Sequence, residues 1–330
     1  MFVRLIVLFF CLLTSLSCGD TGPKTGKAEG ESFLRCAYPV DDGQKERFEL
    51  SPLRVERDGL NVVVQGIERG LIVFGILSGL REPSDATLKN IDYFLKQFKD
   101  AGVQSILVAG DLGFRQEQIE ATLQRLSRAP VPILLIPGAQ ESFDLFRKAI
   151  DNQRRTSPQL LDMTKVRRVT VGNVSVVSIP GYFKPFYLSA GERGCSYTES
   201  DLEKLSDLFK NKGVTFVLSH SPPRSVGEWA VDMGGGGVNT GDLALKRVLQ
   251  RADVQFGVFG HVYESGGHAT GSDGRSPLAS GIWQTSLFLQ AGSAEAMPLT
   301  LVGGGRSAGM AQIVEISGKR ARFRTVYAKN

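Results

Sequence analysis

From residue 60 to residue 327, short apolar runs alternate with segments whose apolar side chains recur every three or four positions. The run LIVFGIL at 71–77 is typical of a buried strand, whereas the spacing of Leu88, Ile91 and Leu95 predicts a helix over 85–99. The same alternation continues to residue 261, after which the chain becomes rich in strands. This order predicts an α/β fold in which helices cover large sheets.

The predicted domain occupies residues 60–330, and the sequence before it is different in character. Residues 33–59 are polar and show no clear period, so we interpret them as an N-terminal extension lying on the domain. Residues 18–32 are rich in Gly, Lys and Ser, which is typical of a flexible tether.

Residues 1–17 combine one basic residue, Arg4, with an apolar run, which predicts a secretory signal peptide. The run is too short to span a bilayer of about 30 Å. It leads into SLSC, which resembles the lipobox of bacterial lipoproteins, although Ser15 and Leu16 depart from that pattern. We therefore expect an exported protein of the bacterial cell envelope, attached to a membrane through a lipidated Cys18. Plain cleavage just before Cys18 is the alternative.

The mature chain then holds Cys36 and Cys195 besides Cys18. An oxidising compartment favours a disulfide between these two, which would join the N-terminal segment to the loop before Thr198. Two buried free thiols are the alternative.

The charge balance argues against a nucleic-acid partner. The chain has 39 Lys and Arg against 34 Asp and Glu, a net charge of +5 that is mild and spread out. The short basic pairs are not interleaved with aromatic residues as in proteins that bind single strands.

Three polar residues stand where apolar strands end: Asp111, His220 and His261. Ligands of open α/β sheets bind beyond such strand ends. One carboxylate and two neutral imidazoles could hold one divalent ion, such as Zn, Mn or Fe. The alternative is structural: Asp111 would cap the following turn, and His220 would bond to the backbone near Pro222.

Five strand ends, FGILSGLRE, LVAGDLG, LLIPGAQES, FVLSHSPPR and GVFGHVYES, together resemble the five motifs of calcineurin-like metallophosphoesterases. Those motifs are Asp-x-His, Gly-Asp, Gly-Asn-His-Glu, His and Gly-His-x-His. The resemblance covers roughly residues 60–327. It implies a two-sheet sandwich flanked by helices, with two metal ions at the strand ends that polarise a phosphoester and generate a hydroxide nucleophile.

The sequence departs from this pattern at most functional positions. The stretch 71–81 contains neither the Asp nor the His of the first motif. Ala139 replaces the metal-binding Asn, Gln140 replaces the catalytic His, and Tyr263 replaces the second His of the fifth motif. Gln140 cannot transfer a proton at neutral pH, so a general-acid contribution of about 10²–10⁴-fold is lost. Arg81 could place a cation near the first metal position and bind an anion there.

These departures favour a metallophosphoesterase-like protein without catalytic residues, which binds a phosphate-like ligand or an envelope protein. One alternative is an active hydrolase with at most one divalent metal, held by Asp111, His220 and His261. Another is a structural envelope protein. His268, seven positions past His261, could reach back to the site, but a solvated position in its glycine-rich loop is the favoured interpretation.

Overall fold

The computed structural model describes residues 34–38, 40–68, 70–210 and 213–329. The predicted signal peptide (1–17), the lipidated Cys18 and the tether (18–32) lie outside the described residues. None of the helices in the described ranges is both long enough and apolar enough to cross a membrane.

Five α-helices lie in these ranges: α1 (Asp85–Asp100), α2 (Gln116–Leu126), α3 (Phe143–Arg154), α4 (Glu199–Phe209) and α5 (Leu243–Arg251). Three of them begin at side chains that satisfy free backbone N–H groups. The Ser84 hydroxyl accepts from the N–H of Thr87, the Asp242 carboxylate accepts from that of Ala244, and Thr198 starts α4 with a capping box.

The strands up to residue 179 are β1 (Leu34–Arg35), β2 (Lys45–Leu50), β3 (Leu53–Asp58), β4 (Asn61–Gln65), β5 (Leu71–Leu77), β6 (Ser105–Val108), β7 (Ile133–Leu135), β8 (Leu160–Asp162), β9 (Arg168–Val171) and β10 (Val174–Ile179). Those that follow are β11 (Cys195–Ser196), β12 (Val214–Ser219), β13 (Phe256–Phe259), β14 (Ala269–Thr270), β15 (Leu287–Gln290), β16 (Leu299–Thr300), β17 (Arg306–Ser307), β18 (Met310–Ser317) and β19 (Arg320–Tyr327).

Most of these strands form two mixed sheets. The larger has the order β14-β15-β13-β12-β10-β9-β4-β3-β2, and the smaller has the order β19-β18-β5-β6-β7-β8. Apolar side chains from the inner faces of both sheets form one core, in which the rings of Phe74 and Phe216 meet edge to face at 5.6 Å. Helices α1–α3 pack on the outside of the smaller sheet, and α4 and α5 pack on the larger one. The predicted two-sheet sandwich flanked by helices is confirmed.

Residues 45–58, within the segment that we interpreted as an extension, form β2 and β3 at one end of the larger sheet. In β3, Leu53, Val55 and Arg57 are buried while the residues between them face outward. The buried arginine hides this alternation in the sequence. Its guanidinium donates to Asp42 at 2.7 Å and to the carbonyl of Gly59 at 2.9 Å.

Cys36 and Cys195 form a disulfide with their Cα atoms 5.5 Å apart, which decides between the two sequence alternatives. The bridge stands next to the parallel pairing of β1 with β11. The fully buried guanidinium of Arg167 donates to the carbonyls of Cys36 (3.3 Å) and Ser178 (2.8 Å). The N-terminal segment is thus fixed to the domain by a covalent bond and by a buried arginine.

Candidate functional site

The three predicted site residues lie at neighbouring strand ends. Asp111 follows β6 of the smaller sheet, while His220 and His261 follow β12 and β13 of the larger one. Asp111 and His261 have positive backbone φ angles of 60° and 67°. Such conformations cost free energy in non-glycine residues and are held by the surrounding structure. The structure brings all three residues together.

The carboxylate of Asp111 is at the centre of the site and is only 2% exposed. Its Oδ1 accepts hydrogen bonds from the backbone N–H groups of Ala139 (2.8 Å) and Gln140 (3.1 Å). Its Oδ2 accepts a hydrogen bond of 2.6 Å from the hydroxyl of Tyr263. Both carboxylate oxygens are therefore engaged by donors of the protein itself.

His220 is fully buried, and its ring is oriented by the backbone. Its Nδ1 lies 2.7 Å from the carbonyl oxygen of Ala109. Because a carbonyl can only accept, Nδ1 carries a proton, and in the neutral imidazole Nε2 would present a lone pair. Nε2 lies 3.5 Å from Asp111 Oδ1 and has no hydrogen-bond partner among the described residues. Metal-ligating histidines are held by the same kind of backbone contact.

His261 is held between aromatic rings. Its imidazole stacks on Tyr182, with centroids 4.0 Å apart and planes inclined by 32°, and lies 5.3 Å from the ring of His220. Burial, followed by the proximity of His220, lowers the pKa of His261 to about 3. The imidazole is therefore neutral at physiological pH.

The region of the first motif contains a second group of residues, namely Gly79, Arg81 and, from the fifth motif, Tyr263. We call it the tyrosine half of the site, and we call His220 and His261 the imidazole half. A Cβ atom added at Gly79 would lie 2.7 Å from Cε1 of Tyr263, so the phenol ring takes the space of a side chain at position 79. The φ angle of Gly79 is +60°, which further favours glycine.

Arg81 covers the phenol ring of Tyr263. Its guanidinium carbon lies 5.1 Å from the ring centroid, and the same guanidinium pairs with the buried carboxylate of Glu295. Burial, followed by the charge of Asp111, raises the pKa of Tyr263 well above its usual value. The phenol therefore stays protonated and donates to Asp111. Arg81 lies beside the position that the sequence predicted, but its charge is balanced by Glu295.

Glu141 stands at the acidic position of the third motif and holds that loop. Its side chain is fully buried and accepts hydrogen bonds from the backbone N–H groups of Leu112 and Gly138, the latter at 2.8 Å. Burial, followed by the charge of Asp111, raises the pKa of Glu141 to about 8. The neighbouring Gln140 presents a buried Oε1 that has no hydrogen-bond partner among the described residues.

These contacts do not fit the two-metal centre of the family pattern. Asp111 Oδ2 is bonded to Tyr263, and the phenol fills the space next to Gly79. Within the described residues, no group of three or more His, Cys, Asp or Glu side chains is placed to hold a metal ion. The assignment of one divalent ion to Asp111, His220 and His261 stays a prediction. The two imidazoles could supply nitrogen ligands to such an ion.

His268 contacts other residues. Its ring lies 5.2 Å from that of Trp229. Burial lowers the pKa of His268, while hydrogen bonds with the backbone of Ala230 and Val302 oppose the shift. The sequence analysis did not find Glu295 or Tyr182, because neither lies in a motif; only their contacts with Arg81 and His261 identify them.

A sandwich of two mixed sheets with Asp111, His220 and His261 at adjacent strand ends defines the class of metallophosphoesterase-like proteins. A sequence profile of the calcineurin-like phosphoesterases matches residues 77–265, more than half of the chain. The chain belongs to that family. Comparison with curated proteins gives no significant match.

The chain is similar to several solved structures. The protein TT1561 of Thermus thermophilus is 13% identical, with a TM-score of 0.53 over 78% of this chain and 100% of that one. A dimetal phosphatase from Danio rerio is 12% identical, with a TM-score of 0.49 over 79% of this chain and 100% of that one. At these identities the similarity concerns the fold alone.

Proposed function

We propose that this protein is a family member without phosphoesterase activity that binds a partner in the cell envelope. The observation that carries the proposal is the hydrogen bond between the hydroxyl of Tyr263 and Oδ2 of Asp111. It ties up a carboxylate that a two-metal reaction would need to clamp the attacking and leaving oxygens. Gln140 supplies no proton in place of the catalytic His of the family pattern.

A protein partner suits the structure better than a phosphate-like ligand. Asp111 and His220 are almost wholly buried, and the positive charge of Arg81 is neutralised by Glu295. Phe186 and Tyr187 lie beside this site, with exposed fractions of 91% and 47%. Tyr187 contacts Tyr182, whose ring stacks on His261, so these exposed aromatics adjoin the imidazole half. Exposed aromatic residues are typical of protein interfaces.

The proposed location is the bacterial cell envelope, either facing the periplasm or at the cell surface, where a lipid on Cys18 attaches the chain to a membrane. Incorporation of labelled fatty acid into the natural sequence, and its loss in Cys18→Ser, is the expected result. Labelling that persists in Cys18→Ser, or is absent from both chains, would contradict the anchor.

The absence of hydrolysis is tested on purified protein. The substrates are p-nitrophenyl phosphate and bis-p-nitrophenyl phosphate, in the presence of Mn²⁺, Zn²⁺ or Fe²⁺. The natural sequence should hydrolyse them at the same rate as His220→Ala. Turnover that His220→Ala abolishes would contradict the proposal. It would favour the single-metal hydrolase, to which the unpartnered Nε2 of His220 lends support.

The partner is tested by placing a photo-crosslinking amino acid at position 186 in cells. We expect one discrete crosslinked species, and we expect none from position 63, because Val63 is an exposed residue of β4 on the larger sheet. Equal crosslinking from both positions would argue against a specific surface and in favour of a structural envelope protein.

A further inference from the structure

A groove of about 640 Å³ lies between two glycine-rich loops, outside the site described above. Gly234 and Gly235 belong to the first loop, and Gly303 belongs to the turn between β16 and β17. Apolar side chains, among them Met233, Leu299 and Val302, form part of its lining. The run of four glycines at 234–237 thus contributes to one wall of this groove.

An exposed indole faces the groove. Trp229 is 54% exposed although its ring contacts that of His268. A Cβ atom added at Gly303 would lie 3.4 Å from Cη2 of this indole, so the glycine leaves the edge of the ring uncovered. The φ angle of Gly303 is +84°, a conformation that glycine adopts without strain. The exposed part of the indole is therefore available to contact a ligand in the groove.

Both charged residues that line the groove are acidic, namely Glu228 and Glu264. Neither carboxylate has an ion pair or a side-chain hydrogen bond with any described residue, although the chain carries an excess of basic residues. The carboxylate of Glu264 lies next to Gly235, with Oε1 3.7 Å from where a Cβ would be. The groove therefore joins an aromatic face to two unbalanced negative charges.

We propose that this groove binds an organic cation, a quaternary or protonated amine with small apolar substituents. The cation would lie over the face of Trp229, where the ring quadrupole attracts positive charge, and between the two carboxylates. Its apolar substituents would pack on Met233 and Leu299. An anion would be repelled by Glu228 and Glu264, and a neutral ligand would leave both charges unbalanced. This site does not depend on the proposed loss of phosphoesterase activity.

The test uses choline as the cation and 3,3-dimethylbutan-1-ol, which replaces the nitrogen by carbon, as its neutral isostere. The chain contains two tryptophans, so Trp283→Phe leaves Trp229 as the only indole reporter. At constant ionic strength, choline should change the Trp229 fluorescence saturably with a Kd of about 1 mM or lower. The isostere should bind at least about tenfold more weakly. Equal binding of the two, or no saturable change with choline, would overturn the proposal.

Charge variants add a second readout in the same Trp283→Phe background. Glu264→Gln and Glu228→Gln should each weaken choline binding by about two- to fivefold, as expected for a partly exposed ion pair. Glu192→Gln, at an exposed glutamate outside the groove lining, should leave the Kd unchanged. Unchanged affinity in both groove variants would also overturn the proposal. The isostere comparison needs no groove variant to fold.

Discussion

The two halves of the site differ in how their polar groups are satisfied. In the tyrosine half, the phenol of Tyr263 fills the space beside Gly79, donates to Asp111 and lies under Arg81. In the imidazole half, His220 keeps the backbone contact of a metal-ligating histidine while its Nε2 has no partner among the described residues. One half is a packed hydrogen-bonded network, and the other has a buried imidazole nitrogen without a partner among the described residues.

Both imidazoles are positioned by contacts with other groups of the protein. The carbonyl of Ala109 orients His220, and the ring of Tyr182 supports His261; neither contact involves a metal. The tyrosine half needed several compatible residues, because a ring at position 263 requires the absence of a side chain at position 79. Two imidazoles held at neighbouring strand ends are therefore weak evidence of activity.

The largest expected effect is on the free energy of unfolding when the ring of Tyr263 is removed. Tyr263→Ala should lower the free energy of unfolding by about 3–5 kcal/mol, because it opens a cavity and leaves a buried carboxylate with one donor fewer. The partly exposed His261→Ala should cost less, about 1–2 kcal/mol. Urea unfolding measures both. Equal costs of the two substitutions would contradict the comparison between the halves. Tyr263→Phe removes only the hydroxyl and should lower the free energy of unfolding by about 1–3 kcal/mol.

The next effect concerns the support of the imidazole half. Cys195 packs against Gly181, and its carbonyl accepts from the N–H of Tyr182 at 3.0 Å. Replacing Cys36 and Cys195 by Ser should cost about 2–4 kcal/mol. Hydrogen exchange should rise over residues 181–196 and stay unchanged at Gly79. An equal rise at both places would show that the two halves are not separately supported.

The smallest effect is the pH dependence of the imidazole half. The pKa of His261 is lowered to about 3 in the folded state, whereas the unfolded chain titrates near 6.5. As the pH falls below 6.5, the unfolded chain therefore protonates His261 before the folded state does. The stability that His261 contributes is complete above pH 6.5 and is lost progressively as the pH drops towards 3.

Unfolding curves at successive pH values test this dependence. The difference between the natural sequence and His261→Gln should shrink as the pH falls through that window. A difference that is constant with pH would show that His261 titrates normally. Val63→Ala, on the outer face of β4, serves as the control, because it changes no titrating group and no contact in the site.

Much of the fold could be predicted from the sequence because periodicity reports burial. The run at 71–77 is a strand with the predicted bounds, and the end of the chain that was predicted to be rich in strands contains β18 and β19. Strands β2 and β3 were not predicted, because charged residues paired across the outer face, such as Arg47 with Glu56, make the segment read as polar. Their burial depends on β4, to which β3 is hydrogen-bonded.

The site residues that stand in sequence motifs could be predicted. The contacts between residues far apart in the sequence could not. Asp111, His220 and His261 stand at strand ends, and topology alone brings these together. The hydrogen bond from Tyr263 to Asp111 joins residues 152 positions apart, and Arg81 and Glu295 are also far apart in the sequence. No local pattern encodes such a pair, so the sequence identified Tyr263 only as a replacement and not as a donor.

The bond between Cys36 and Cys195 also determines how the domain would bear a mechanical load. The two cysteines are 159 positions apart, and the bridge joins them directly. Tension applied at the N-terminus would pass through the sulfur atoms into β11, bypassing every strand and helix between Cys36 and Cys195. The segment between the two cysteines, which includes β5–β8, would thus lie outside the covalent path of the load, which continues along the chain that follows residue 195.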